Sequence, residues 1–392
     1  MTDTIANAAK ADARWLTDPT VFAAHREPAH SNHRYFIGAS TDPKQSLDGE
    51  WKVRIEQAHD VDVERAPFAA ADFEDAGFGR IEVPGHLEMA GYLSNQYVNV
   101  QYPWDGHEDP SEPDVPENNH VAIYRRSFTL DRPLARTLEE DGTVSLVFHG
   151  AATAIYVWVN GVFVGYGEDG FTPNEFDVTA ALHADANARN VVTVACYEYS
   201  SASWLEDQDF WRLHGLFRSV ELAAQPHTHV ETVRIEADYD ASAGTGSLDA
   251  TLRLRDPAGA ATVESALRDG DGTIVWESTQ AAHETVVLNS GPLAGVAPWS
   301  AESPALYELT SRVIGRDGTV VETVVQKVGF RRFRIEDGIM TLNGKRIVFK
   351  GADRHEFDAH RGRAITREDM LSDVLFCKRH NINAIRTSHY PN

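Results

Sequence analysis

Two strand-forming runs face each other across Asn160-Gly161 in the segment AIYVWVNGVFVGY, residues 154–166. Asn-Gly supplies the two positive φ angles of a type I′ turn, and the flanking β-branched and aromatic residues suit a pleated surface. This segment therefore predicts a β-hairpin. Val144 to Phe148 and Val191 to Tyr197 read as further strands, and little between Trp51 and about Val220 has a helical period. The pattern predicts an antiparallel sandwich of jelly-roll type over residues 51–226, preceded by an irregular segment, 1–50.

Pro226 to Thr228 marks a boundary. Beyond it, short alternating segments such as Thr232–Ala237, Leu248–Leu254, Thr273–Glu277 and Thr319–Val328 are separated by Asp-Gly and Pro-Ala-Gly turn signals. A span of about 100 residues with this spacing predicts an immunoglobulin-like β-sandwich, 227–334, although it has no Cys–Trp–Cys core. After Gly338 the character changes. Arg346 to Lys350 (RIVFK) reads as a buried strand, Thr366 to Arg379 as a helix capped by Thr366, and Asn383 to Thr387 as another strand. Strand, helix, strand in this order is the unit of a parallel barrel, so residues 335–392 read as the first strands of an incomplete (β/α)8 TIM barrel. The whole is expected to be mainly β.

Composition narrows the function classes. The chain has 392 residues, room for two to four domains. Its formal net charge of −23 argues against nucleic acid, because phosphate neutralisation needs clustered Lys and Arg. No apolar run of about 18 residues occurs, which leaves no transmembrane helix candidate. Met1 to Arg14 lacks a basic start followed by an apolar core, the pattern of a secretory signal. Cys196 and Cys377 lie far apart in apolar stretches and read as two buried thiols. A cytoplasmic protein fits these features best.

Two formal motif matches fail on context. Gly165 to Gly170 satisfies G-x-G-x-x-G but follows a hairpin, and Thr172-Pro173 stands where a helix should begin. His355-Glu356 starts the zinc pattern H-E-x-x-H, but position 359 is Ala359 and His360 falls one residue too late. Three polar clusters remain. Tyr97 to Pro103 lies in a long loop, a frequent place for function. Trp204 to Arg212 (WLEDQDFWR) interleaves three carboxylates with aromatic rings. Carboxylates bond sugar hydroxyls and hard cations, and aromatic faces pack on pyranose rings; an arginine–carboxylate network under a tryptophan lid is the structural alternative. Arg386 to Pro391 (RTSHYP) sits at the carboxyl end of the second barrel strand, and Gly351 to Glu356 holds the same place on the first. Barrel enzymes build their sites there.

The stretches PGHLEMAGY (84–92), YVNVQYP (97–103), LEDQDFWRLHGLFR (205–218), KGADRHEFDAHRGR (350–363) and NINAIRTSHYPN (381–392) resemble, in order, the N-terminal part of the large bacterial β-galactosidases of glycoside hydrolase family 2. The resemblance runs from Trp51 to Asn392. It implies hydrolysis of terminal β-D-galactosides such as lactose with retention of configuration, by an acid/base and a nucleophile about 5–5.5 Å apart. It assigns Asn99, Asp209 and His389 to substrate binding, and Asp209 also to a sodium ion. Glu206, Asp207 and Trp211 are expected to support Asp209, and Asp18 to contribute to a peripheral magnesium site.

In that family both catalytic glutamates and the ligands of the active-site magnesium come from later barrel strands, so the resemblance puts them beyond Asn392. Glu356 and Asp358, the carboxylates near a barrel strand end here, match neither catalytic motif. No catalytic acid or nucleophile is therefore expected within this sequence, which reads as a fragment, inactive alone, of an enzyme that uses Mg2+ and Na+. The resemblance implies a small-molecule galactoside as partner and homo-oligomers of the complete enzyme. A non-catalytic carbohydrate-binding protein is the alternative of another class; a β-glucuronidase or β-mannosidase is the alternative within the family.

Overall fold

The computed structural model describes residues 10–30, 42–206 and 208–390. Asn392, the residue beyond which the catalytic glutamates are expected, lies outside the described residues. The hairpin forms as expected: Ala154–Val159 pairs antiparallel with Val162–Gly167, and Asn160 and Gly161 take φ of 51° and 83°. The Asn160 side chain fixes the turn to its surroundings. Its amide donates to the Ala181 carbonyl (2.9 Å) and Asn190 Oδ1 (2.7 Å), and its Oδ1 accepts from the Val191 N–H (2.8 Å).

Among the described residues this hairpin lies in a seven-stranded sheet ordered Ala23–Ala24, Val162–Gly167, Ala154–Val159, Asn190–Tyr197, His120–Phe128, Gly49–Gln57, Gly79–Val83. A second sheet, ordered Asn174–Asp177, Thr143–Phe148, Val220–Gln225, Lys44–Ser46, packs against it. Trp51, Tyr124, Phe148 and Phe176 fill the space between, and the Trp51 indole donates to the Leu47 carbonyl at 2.8 Å. The outer face of the large sheet is covered too. Trp15, from the 3-10 turn Ala13–Thr17, stacks on Tyr156 and tilts against Tyr166 over Leu16 and Phe68. Burial on both faces is why Ala154–Val159 and Asn190–Tyr197 read as continuous apolar runs rather than alternating ones.

Two local readings differ from these elements. Residues 1–50 are not irregular throughout, since Ala23–Ala24 and Lys44–Ser46 already add strands to the sandwich. A helix, Arg132–Glu139, also stands where none was expected. It is two turns long and buries only Leu134 and Ala135, too little for a period to show.

The second domain is the immunoglobulin-like sandwich. His229–Asp240, Thr245–Arg255 and Thr285–Ala294 form one sheet; Ile274–Ala281, Ala260–Arg268, Tyr307–Gly315 and Val320–Val328 form the other. Burial alternates along Thr245–Arg255, which puts Leu248, Ala250, Leu252 and Leu254 inward against Val263, Leu309 and Phe330.

Next come Phe333–Glu336, Ile339–Leu342 and Lys345–Arg346 as a small antiparallel sheet, then the barrel unit. Gly351–Arg354 pairs in parallel with Ala384–Thr387, and the helix Arg367–Arg379 connects them. Thr366 caps the helix reciprocally: its hydroxyl accepts from the Asp369 N–H and the Asp369 carboxylate accepts from the Thr366 N–H. The expected strand at Arg346 to Lys350 is displaced. Only Lys345–Arg346 joins a ladder, and the parallel strand starts at Gly351. The Asn383 side chain takes the intervening backbone, accepting from Lys350 N–H (2.7 Å) and donating to the Val348 carbonyl (3.0 Å). Cys377 is half-buried rather than buried, on a helix whose Leu371, Val374 and Phe376 are more than half exposed.

With that face uncovered, amides of Arg367–Arg379 in the 392-residue chain are expected to exchange at least ~100-fold faster than those of Ala154–Val159. Mass-spectrometric hydrogen exchange measures both; equal protection would contradict this reading. Among the described residues, no helix is long and apolar enough to cross a membrane.

Candidate functional site

Two of the polar clusters are joined by a two-stranded ribbon. Gln96–Val98 runs antiparallel to Phe210–Arg212, with Val98 opposite Phe210 and Tyr97 opposite Trp211. Continuing the register by one residue sets Asn99 opposite Asp209; both are exposed. The Tyr97 hydroxyl donates to Asp209 Oδ1, a bond that raises the phenol above its ordinary range, and the Tyr97 ring tilts against Trp211 at 5.5 Å.

The third cluster arrives from the parallel strands. Arg354 and Thr387 are register partners, and Ser388 N–H donates to the Arg354 carbonyl at 3.1 Å, so the two strands end side by side. His355 and His389 follow those ends with their rings edge to face, centroids 5.4 Å apart. Desolvation, then the neighbouring His389, holds His355 below the ordinary imidazole range, while the Asp209 charge pulls the other way. His355 and His389 thus stand together at the strand ends, near enough to Asp209 for its charge to act on His355. A neutral imidazole offers one donor and one acceptor, which suits a hydroxyl-bearing ligand.

In the sequence, His355 belongs to the Gly351 to Glu356 cluster at the first strand end as well as to the failed zinc match. Its place at the end of the first parallel strand is what sets it beside His389. The neighbour of His389, Tyr390, is buried against Phe171 and Phe210, and its hydroxyl donates to the Glu356 carbonyl at 3.1 Å.

Other expected residues have different surroundings. Asp207 lies outside the described residues. Glu206 lines a cavity of about 40 Å³ with Tyr199, Ser203, Arg212, His214 and Arg363, room for a water molecule. Burial, then the nearby Asp169 charge, pushes its carboxyl up to about 7, against the Gly170 N–H bond. Since the folded value lies above the unfolded one, this group's contribution to stability is complete below about pH 4.5 and is lost as pH rises through about 7. Glu206→Gln should therefore gain on the order of 2 kcal/mol over the parent between about pH 5 and pH 8, read from paired melting curves.

Asp18 accepts from Thr20 N–H and Oγ1. Glu356 is buried between Arg218 (3.5 Å) and Arg354 (3.6 Å), and Asp358 receives the N–H groups of His360 and Arg361. Both carboxylates near the first strand end thus have structural partners. Among the described residues, no three His, Cys, Asp or Glu side chains are grouped to hold a metal ion. The single carboxylate of Asp209 suits one contact to a hard cation but builds no shell for Mg2+.

An exposed carboxylate beside aromatic rings, and two imidazoles, lie near the junction of a β-sandwich and a parallel strand pair, a set of groups suited to a hydroxyl-rich ligand. The comparisons with known proteins agree. Three family models match in succession: "Glycosyl hydrolases family 2, sugar binding domain" over residues 44–226, "Glycosyl hydrolases family 2" over 228–331, and "Glycosyl hydrolases family 2, TIM barrel domain" over 333–392. The chain belongs to glycosyl hydrolase family 2. It is 74% identical to the β-galactosidase BgaC of Bifidobacterium adolescentis over 99% of its own length and 38% of that protein's. It is 46% identical to the β-galactosidase of Lactobacillus delbrueckii subsp. bulgaricus over 98% and 37%. It thus spans somewhat over a third of these curated relatives. The β-glucuronidase of Bacteroides uniformis shares the fold, with a TM-score of 0.70 at 23% identity over 90% of this chain and 40% of that one.

Proposed function

We propose that this chain supplies the sugar-binding part of a β-galactosidase that removes terminal non-reducing β-D-galactose residues with retention of configuration. The convergence of Asp209 with His355 and His389 carries the reading, and the 74% identity to a β-galactosidase favours galactose over glucuronic acid or mannose. Asp209 accepts hydrogen bonds from galactose hydroxyls, and Asn99, across the ribbon from it, reaches the same sugar. His355 and His389 bond ring hydroxyls as the pyranose distorts. Asp209 would supply one carboxylate contact to a sodium ion, which would bring positive charge to the sugar site; magnesium takes no ligand set from the described residues. The acid/base and nucleophile of a retaining pair are assigned to no carboxylate of this sequence, because Glu356 and Asp358 are held by arginines and backbone N–H groups; we place that pair in sequence that follows Asn392.

The test uses the gene product as encoded, read through to its own stop codon. Hydrolysis of p-nitrophenyl β-D-galactoside at least ~100-fold faster than of the β-glucuronide or β-mannoside is expected. Faster release from either of the others overturns the substrate assignment. The 392-residue chain by itself should bind galactose in a calorimeter and hydrolyse nothing. Homo-oligomerisation of the encoded product belongs to the same proposal and is measured by light scattering.

A further inference from the structure

Arg363 stands at the point where the barrel unit meets the sandwich, in the loop between Gly351–Arg354 and Arg367–Arg379, and it is only 3% exposed. Its guanidinium carbon lies 5.1–5.6 Å from four ring centroids: Phe171, Phe210 and Phe217 of the sandwich, and Tyr390 of the barrel unit. Nη1 donates to the Trp211 carbonyl at 3.0 Å and Nη2 to the Leu213 carbonyl at 2.5 Å.

The backbone beside it is held as firmly. Arg363 N–H donates to His86 Nε2 at 3.1 Å, which places the His86 proton on Nδ1, where it reaches the His214 carbonyl at 3.2 Å. Glu88 secures His214 in turn, taking its ring Nδ1 at 2.7 Å and its backbone N–H at 2.8 Å. Gly362, at φ +61°, lies so close that a Cβ there would meet Leu213 Cδ1 at 2.7 Å and His86 Cδ2 at 2.8 Å. The PGHLE stretch, which has no other role in the site, is thus the seat on which the loop rests.

One guanidinium therefore touches the immediate neighbours of both halves of the site: Phe210 and Trp211, which follow Asp209, and Tyr390, which follows His389. A two-stranded ribbon has little stability of its own, so the position of Asp209 depends on what anchors the ribbon. We propose that Arg363 is a positioning residue. It ties the Asp209 ribbon to the strand ends carrying His355 and His389, and so sets the width of the sugar site across the domain junction. The proposal rests on the reading of Asp209 as a sugar ligand. Lysine keeps the charge among the rings but cannot span two carbonyls in one plane.

The experiment compares Arg363→Gln and Arg363→Lys with the parent in the full encoded protein. KM for p-nitrophenyl β-D-galactoside is expected to rise about 10-fold, with kcat/KM falling about 10- to 100-fold, because small misplacements of binding groups carry losses of that size. Lysine should recover part of the loss. Peptides covering residues 208–216 should exchange amide hydrogens about 10-fold faster in Arg363→Gln, with the 154–166 hairpin unchanged.

If the parent shows no galactosidase activity, the exchange arm still decides: localised acceleration supports the clasp while the substrate reading fails. KM within twofold of the parent together with unchanged exchange overturns the proposal. A lowered melting temperature with KM unaltered in the folded fraction does so too, since that is all a purely structural arginine would show. Should Arg363→Gln fail to fold, Gly362→Ala displaces the loop and retains the guanidinium; a KM increase in the same direction supports the clasp, and an unchanged KM counts against it.

Discussion

Asp209→Asn is expected to lower kcat/KM on the galactoside by about 10²- to 10³-fold, the usual loss when a site group that bonds the reacting sugar is disabled. Asparagine preserves the volume and can still accept from the Tyr97 hydroxyl, but it removes the negative charge and turns one acceptor into a donor. A sugar hydroxyl that donates to the carboxylate then meets an N–H, and a cation loses its partner. Because Asp209 is exposed, the melting temperature should barely move. Tyr97→Phe provides the graded control: it frees the carboxylate without removing it, and a loss of about 10-fold or less is expected. A fall in the His355 imidazole pKa in Asp209→Asn, followed by NMR titration, would tie the two halves of the site together, since the Asp209 charge is one of the influences that raise it. Undiminished turnover in Asp209→Asn would remove this residue from the site.

The largest loss of stability is expected from Arg125→Met in the first sandwich. Arg125 is 1% exposed and bonded on every side: Nε to Asp75 Oδ2 (3.1 Å), Nη1 to the Phe68 carbonyl and Thr193 Oγ1 (3.0 Å), and Nη2 to the Ala70 carbonyl (3.0 Å). It is the staple that holds the 67–70 segment over the large sheet, where Phe68 packs edge-on against Trp158. Methionine fills much of the volume but leaves two carbonyls and a threonine hydroxyl without this donor. Removal of one partner from a buried, bonded charge network costs about 3–5 kcal/mol. Denaturant titration should show the midpoint falling at unchanged m-value. A loss under ~1 kcal/mol would mean that water replaces the guanidinium at little cost.

What could be read in the residues beforehand followed the range of the interactions involved. The hairpin at Asn160-Gly161 and the helix capped by Thr366 are specified by adjacent positions, and the structure has both. The strand expected at Arg346 to Lys350 failed because a side chain 33 residues away, Asn383, captures that backbone. The helix Arg132–Glu139 escaped notice because two turns carry too few apolar positions to show a period. At the candidate site, Asn99, Asp209 and His389 were named through resemblance alone, and the ribbon register sets the first two opposite each other. His355 was visible as part of the Gly351 to Glu356 cluster, but its pairing with His389 depends on two strand ends meeting in space. Arg363 was not legible at all. Its cage is assembled from positions 171, 210, 217 and 390, and no local pattern distinguishes it from a surface arginine.

The ribbon that carries Asp209 also has a consequence for biosynthesis. The last strand of the first sandwich, Val220–Gln225, leaves the ribosome long before Tyr390, which closes over Phe171 and Phe210. At ~5–20 residues per second, about 165 residues of further translation take on the order of 10–30 s. Throughout that interval Phe171 and Phe210 lack the Tyr390 ring that packs on them and form an uncapped aromatic patch. A chaperone that engages this chain during translation should find its first binding site there and release it as the barrel unit docks.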